Sequence, residues 1–156
     1  MKNDQIKRKT QQVRKRTDRE FWKQLDEISM RPVSAEREFQ FALVLRQGYE
    51  ENRGILISCF YDINHPGLAK QSYIEMGGQR YLVCYTSKKN ARQAHQGDDW
   101  NIASTKDILN NFFNKDVIAG ILFNPGFESM VLVLKPILKM IMPGEKEKPP
   151  FYQEPI

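Results

Sequence analysis

Apolar side chains first recur with a helical period. Phe21, Trp22, Leu25 and Ile28, with Ser29, fall on one side of a 3.6-residue turn, and Lys23, Gln24, Asp26 and Glu27 fall on the other. Thr17-Asp18-Arg19-Glu20 precedes them as a capping box, in which the Thr17 hydroxyl accepts from the backbone three residues on and Glu20 reaches back. The pattern predicts a helix over 18–30, ended by Pro32. Phe21 and Trp22 are large enough to anchor a partner. Packing on the domain's own sheet is their simpler use.

The period then shortens. Phe39, Phe41, Leu43 and Leu45 alternate with Gln40, Ala42 and Val44, and Ile55, Ile57, Cys59 and Tyr61 alternate with Leu56, Ser58 and Phe60. Both runs are expected as strands, joined in an antiparallel pair by the polar loop 48–54. Asn64-His65-Pro66-Gly67 is expected as a turn. Tyr73–Met76 and Gln79–Tyr85 flank Gly77-Gly78, whose residues can take the positive φ values of a two-residue hairpin loop.

A polar helix is expected over 88–96 with Ser87 as its cap, and Trp100–Ala103 as a short extended link. Ser104 caps a further helix, with Asp107 in its first turn and Ile108, Leu109, Phe112 and Phe113 on its buried face. Val117–Phe123 and Met130–Leu134 are expected strands around a type II turn at Asn124-Pro125-Gly126. Pro136 opens a last helix over 135–142, stopped by Pro143-Gly144. The whole predicts an α+β fold: a mixed or antiparallel sheet of five to six strands with helices mainly on one face.

Charge changes this picture at one end. The 156 residues carry a net charge of +5. Residues 1–20 hold eight basic and three acidic groups, so the whole excess lies there and residues 21–156 sum to zero. Residues 1–16 have three apolar side chains, too few to offset the entropy of ordering them. The expected organisation is a basic flexible arm at 1–16, one α+β domain at 17–142 and a Pro-rich extended tail at 143–156.

No run of 18 apolar residues exists to span a bilayer, and no apolar segment follows the basic start as in a secretory signal. A cytoplasmic location is the resulting expectation. Cys59 and Cys84 stand alone in apolar runs. Two buried reduced thiols are the favoured reading, and a bridge between neighbouring strands is the alternative.

The stretch from Gly78 to Met142 carries a resemblance. Tyr81-Leu82-Val83-Cys84-Tyr85-Thr86-Ser87 leads into a helix with Ala91-Arg92, then a Trp, a Leu-rich helix, and Gly120-Ile121-Leu122-Phe123-Asn124-Pro125-Gly126. This resembles the amino-terminal domain of the bacterial SseB family, with its YLPVFTS-type strand and later GIVLNPG strand and turn. Val83 and Cys84 stand at the Pro and Val positions of the first motif, and Tyr85 replaces Phe. The match covers about 65 residues directly and, by expected strand order, extends back to Phe39. Some members carry a further carboxyl-terminal domain, which is not expected in a chain of this length, and the basic arm and helix 18–30 fall outside the family pattern. The resemblance implies no enzymatic activity and no cofactor, so a non-enzymatic protein-interaction module is the expectation.

Candidate chemistry is sparse. Nucleophilic catalysis needs a Ser or Cys beside a base, and the two histidines, His65 and His95, fall in a turn and on a polar helix. No His/Cys/Asp/Glu cluster has metal-ligand spacing, and Asp98-Asp99 is an isolated acidic pair. No GxGxxG or GxxxxGK[ST] cradle for phosphate occurs. Two candidate sites remain. One is an interaction loop formed by Asn124, Pro125, Gly126 and Phe127, offered with or beside a sheet edge to an unidentified protein partner. The other is an anion-binding arm, with Lys7, Arg8, Lys9, Arg14, Lys15 and Arg16 available to nucleic acid or an anionic surface through counterion release. Pro149-Pro150-Phe151-Tyr152 in addition fits the PPxY ligand pattern of WW domains.

Overall fold

The computed structural model describes residues 17–94 and 99–142. The basic arm, His95, Asp98 and the tail with its Pro149–Tyr152 motif lie outside these residues. Among the described residues the chain forms α1 (Asp18–Ser29), α2 (Ala35–Glu50), β1 (Gly54–Asp62), β2 (His65–Gln71), β3 (Tyr73–Met76) and β4 (Gln79–Tyr85). It continues with α3 (Lys88–Gln93), β5 (Asp99–Ser104), α4 (Thr105–Phe113), β6 (Ile118–Phe123), β7 (Val131–Leu134) and α5 (Lys135–Ile141). The sheet has seven strands, with main order β2-β1-β4-β6-β7, β3 beside β4 and β5 beside β1. It is mixed: β4 and β6 are parallel, and every other pair is antiparallel. The expected α+β architecture is present.

Helix α1 follows its sequence pattern. Thr17 closes the capping box, its Oγ1 accepting from Glu20 N at 3.1 Å while Thr17 N donates to Glu20 Oε1 at 2.7 Å. Phe21, Trp22, Leu25, Ile28 and Ser29 are buried, so the two aromatics serve the domain's own core. Two side chains one turn apart then seize Gly54 at the head of β1. Asp18 Oδ1 accepts from Gly54 N at 2.9 Å, and Trp22 Nε1 donates to Gly54 O at 2.8 Å.

The strand expected over Phe39–Leu45 is instead the middle of α2. Every position from Phe41 to Leu45 is apolar, so a period of two and a helical period fit equally well. The flanks decide. Ser34 Oγ accepts from Arg37 N, Glu36 and Glu38 lie in the first turn, and Gln40, Leu43, Arg46 and Gln47 among the remaining residues are good helix formers. The buried set Arg37, Phe41, Ala42, Val44, Leu45 and Gly48 is one helical face. The loop expected over 48–54 shrinks accordingly, and the strand order that carried the SseB resemblance back to Phe39 does not hold there.

Two further strands replace expected irregular segments. Asp62 pairs with His65, so Ile63 and Asn64 form the turn and β2 begins at the His-Pro-Gly sequence. Trp100–Ala103 lies within β5, paired with β1 from Gly54↔Ser104 to Cys59↔Asp99. Because β1 and β4 are antiparallel, β2 and β3 must run in opposite senses along them. The chain reverses at Ser72, which donates its N–H to Ser58 O and accepts from Val83 N. The Gly77-Gly78 hairpin is present, with φ of 57° and 78°.

Register fixes which side chains share a face. Ile57 faces Cys84, Cys84 faces Phe123, and Phe123 faces Val131. Phe41 of α2 meets Phe123 edge-on with ring centroids 4.7 Å apart, which puts α2 over this face. Helices α1, α4 and α5 pack against α2 there. Trp100 faces Ser58, on the opposite side from Ile57, and Arg92 lies over its ring, which assigns α3 to the other face.

Gly48 permits the α1–α2 contact. A Cβ at this position would run into the Phe21 ring, which is wholly buried. Helix propensity alone favours Ala over Gly by about 1 kcal/mol. We expect Gly48→Ala to destabilise the domain by about 1–3 kcal/mol in urea titration, reversing the sign that propensity dictates.

Candidate functional site

The carboxyl ends of the parallel strands β4 and β6 meet at Asn124. This residue is fully buried and sits at φ +55°, a left-handed conformation that Asn tolerates better than most residues. Its backbone N–H donates to Cys84 O at 3.0 Å, and its Oδ1 accepts from Thr86 N at 3.1 Å, which carries the ladder beyond the last paired residue. Its Nδ2 donates to Thr86 Oγ1 at 2.9 Å and to Ser129 O and Oγ at 3.1 and 3.2 Å. With two hydrogens and three acceptors, one N–H is shared. The Thr86 hydroxyl, having accepted from Asn124, donates to Asp26 Oδ1 at 2.6 Å. A continuous polar chain thus runs Ser129–Asn124–Thr86–Asp26 from the β6–β7 loop to α1.

That chain ends in an open cleft of about 770 Å³ between α1 and the β4–α3 junction. Arg19, Glu20, Trp22, Lys23 and Asp26 line it from α1, and Thr86, Ser87 and Lys88 from the other side. Lys88 Nζ lies 5.8 Å from the centroid of the Trp22 ring. The Ser87 hydroxyl is engaged as the α3 cap, accepting from Asn90 N at 3.0 Å.

A second construction joins two loops. Arg37 is buried, and its guanidinium donates to Ser29 O at 3.1 Å, Arg31 O at 3.4 Å and Met130 O at 3.1 Å. Its Nε has no hydrogen-bond partner. No carboxylate pairs with it among the described residues, so backbone carbonyls of two loops solvate the charge. One side chain therefore binds the α1–α2 loop to the β6–β7 loop. Around this junction Met30, Val33 and Met130 stand exposed, at 64%, 76% and 45%.

Of the candidate loop Asn124–Phe127, only Gly126 is exposed; Asn124 is buried and its amide is committed, while Pro125 and Phe127 are half-buried. The type II turn itself is present, with Gly126 at φ +87° and Phe127 N donating to Asn124 O at 3.1 Å. Phe127 is thus partly tucked in rather than presented at a tip. The arm residues Lys7, Arg8, Lys9, Arg14, Lys15 and Arg16 lie outside the described residues. Sequence reasoning missed Arg37, Asp26 and Ser129. Asp26 was visible only as part of a polar face, and its partner Thr86 lies 60 residues away.

Both cysteines are buried, and neither is in a disulfide. Cys84 sits on β4 in register with Ile57 and Phe123, and burial pushes its thiol far above the ordinary range. Such a thiol is inert as a nucleophile. Among the described residues no group of three His, Cys, Asp or Glu side chains is arranged to hold a metal ion, and no helix is long and apolar enough to cross a membrane.

Compared with protein-family models, curated proteins and solved structures, the chain matches none.

Two outcomes follow from this geometry. Asn124→Ala leaves Thr86 N without its acceptor and places a Cβ residue without a stabilising amide in the left-handed region. We expect it to cost about 3 kcal/mol in chemical denaturation, from about 1–3 for the buried donor and about 1–2 for the backbone. Asn124→Gly removes only the first of these and should be milder by about 1 kcal/mol. The second outcome concerns pH. The Cys84 thiol is raised in the folded state, so its contribution is complete below the unfolded value of about 8.5 and falls as pH rises above it, by up to about 1.4 kcal/mol per pH unit. The stability difference between the parent chain and Cys84→Ala should shrink from pH 8 to pH 10, read from urea midpoints.

Proposed function

We propose that the chain is an SseB-like, non-enzymatic protein-interaction domain. Its contact surface is the junction of the α1–α2 and β6–β7 loops, and the observation that carries this reading is the buried Arg37. A guanidinium spent on carbonyls of Ser29, Arg31 and Met130 holds two loops in one arrangement. The apolar side chains that flank it, Met30, Val33 and Met130, are left in water. Loops already held in one backbone arrangement lose little conformational entropy on contact, which favours binding through the apolar side chains they carry. The Pro125-Gly126 turn borders the same surface and keeps its place as a candidate contact. In this reading the bacterial assignment comes from the resemblance alone, and the cytoplasmic one is the expectation drawn from the sequence.

A second reading is anion or nucleic-acid binding through the basic arm. It is favoured by Arg19 and Lys23, which share a face of α1 at a spacing of four and continue the arm's charge onto the domain.

Affinity capture with three full-length proteins separates the two. One is the parent chain, one carries Val33→Lys and Met130→Lys, and one carries Arg14→Gln, Lys15→Gln and Arg16→Gln. All the exchanged side chains of the second protein are surface groups, so its melting temperature should match the parent's. We expect a stoichiometric partner to be held by the parent and by the arm variant and to be lost, by about tenfold or more in affinity, with Val33→Lys and Met130→Lys. Retention by the loop variant with loss in the arm variant would transfer the function to the arm.

A further inference from the structure

We propose that the cleft between α1 and the β4–α3 junction binds a small molecule that carries a phosphate monoester beside hydroxyl groups, a polyol or sugar phosphate.

The cleft's cations are unspent. Arg19 and Lys23 have no ion-pair or hydrogen-bond partner among the described residues, and Lys88 contacts only the Trp22 ring there. Arg19 and Lys23, one turn apart on α1, face Lys88 across the cleft. The acidic groups beside them are engaged. Glu20 accepts from Thr17 N in the capping box, and Asp26 Oδ1 accepts from Thr86. Three cations against two carboxylates leave the lining net positive, which favours an anionic group, and the Arg19 fork suits phosphate geometry.

The floor requires a second function on the ligand. Asp26 Oδ1 is held by Thr86, which leaves Oδ2 without a hydrogen-bond partner among the described residues, beside the cations. A bare phosphate offers this carboxylate only repulsion. A hydroxyl next to the phosphate offers it a donor. The volume of about 770 Å³ lies within the range of small-molecule sites, about 300–1,000 Å³.

Position in the fold is an independent argument. Thr86, Ser87 and Lys88 are the first residues beyond the carboxyl end of β4, where it runs parallel to β6. Crevices outside the carboxyl ends of parallel strands are where open sheets carry ligands, because successive connections diverge there and leave space. The floor is also rigid. Thr86 is pinned by Asn124, and Trp22 by Gly54 O, so the site is formed before a ligand arrives.

The test titrates the full chain with ribose 5-phosphate, ribose and inorganic phosphate, followed by calorimetry and by amide and indole NMR signals. The expected result is saturable binding of ribose 5-phosphate, with shifts at Thr86, Ser87, Lys88 and the Trp22 indole N–H. Inorganic phosphate should bind at least about fivefold more weakly and ribose not at all. The surface exchanges Lys23→Glu with Lys88→Glu should weaken ribose 5-phosphate by about tenfold or more, with the melting temperature kept. Asp26→Asn should bring the two phosphates within about twofold of each other. Arg14→Gln with Lys15→Gln and Arg16→Gln should leave the affinity unchanged. Equal affinity for the two phosphates in the parent chain overturns the proposal. So do shifts confined to other residues, binding that survives Lys23→Glu with Lys88→Glu, and binding lost with the arm charges. Each of these results leaves the loop surface around Arg37 untouched.

Discussion

The buried amide of Asn124 is the constraint on which the domain's organisation turns. Parallel strands cannot be closed by a tight turn, so β4 and β6 are brought together by a crossover through α3, β5 and α4. Nothing local fixes their carboxyl ends. Asn124 supplies that fixation by taking Thr86 N on its side-chain oxygen while its own N–H reaches Cys84 O. The same side chain closes the β6–β7 loop at Ser129 and polarises the Thr86 hydroxyl toward Asp26. One residue thereby sets the spacing of two strands, the shape of a loop and the docking of α1. In the low-dielectric interior each of these bonds is costly to leave unmade, so the network holds the four segments as one unit.

Legibility followed how cleanly polar and apolar positions separate. In α1 the separation is complete, and both its span and its buried face were readable, cap included. In α2 it is absent between Phe41 and Leu45, and alternation was an accident of counting Ala42 and Val44 as the outward phase. The buried set Arg37, Phe41, Ala42, Val44, Leu45 and Gly48 settles the matter, because it recurs at helical spacing rather than at every second residue. The Pro-Gly pair at 66–67 reads as a turn by its residue types. It lies instead in β2, an end strand of the main order, where a missing N–H costs no ladder bond.

The candidate sites were legible only where a residue's role is local. The type II turn at Asn124–Phe127 needs Pro and Gly in fixed places, and it forms as its sequence dictates. The role of Arg37 is set by Met130, 93 residues away, and that of Asp26 by Thr86, 60 residues away. Neither pairing leaves a mark in residue spacing. Arg37 carries a further ambiguity, since an Arg in the first turn of a helix reads as a solvated group. It is buried because the two loops present three carbonyl groups that no backbone donor satisfies as closely.

Charge balance invites a related error. Residues 21–156 sum to zero, and a neutral sum suggests a body without an electrostatic surface. A sum carries no information on distribution. Folding brings Lys23 of α1 and Lys88 of α3 into one cleft with Trp22 and Arg19, while Glu20 closes a helix cap. The indole under Lys88 is held in place by its bond to Gly54. Its ring offsets part of the crowding of positive charge through the cation–π contact with Lys88, worth about 0.5–1 kcal/mol at such exposure. The remainder persists as positive potential in a cleft with a rigid floor. Salt limits the reach of that potential to about a Debye length, about 8 Å at physiological ionic strength, so it acts mainly on what enters the cleft rather than on what passes by.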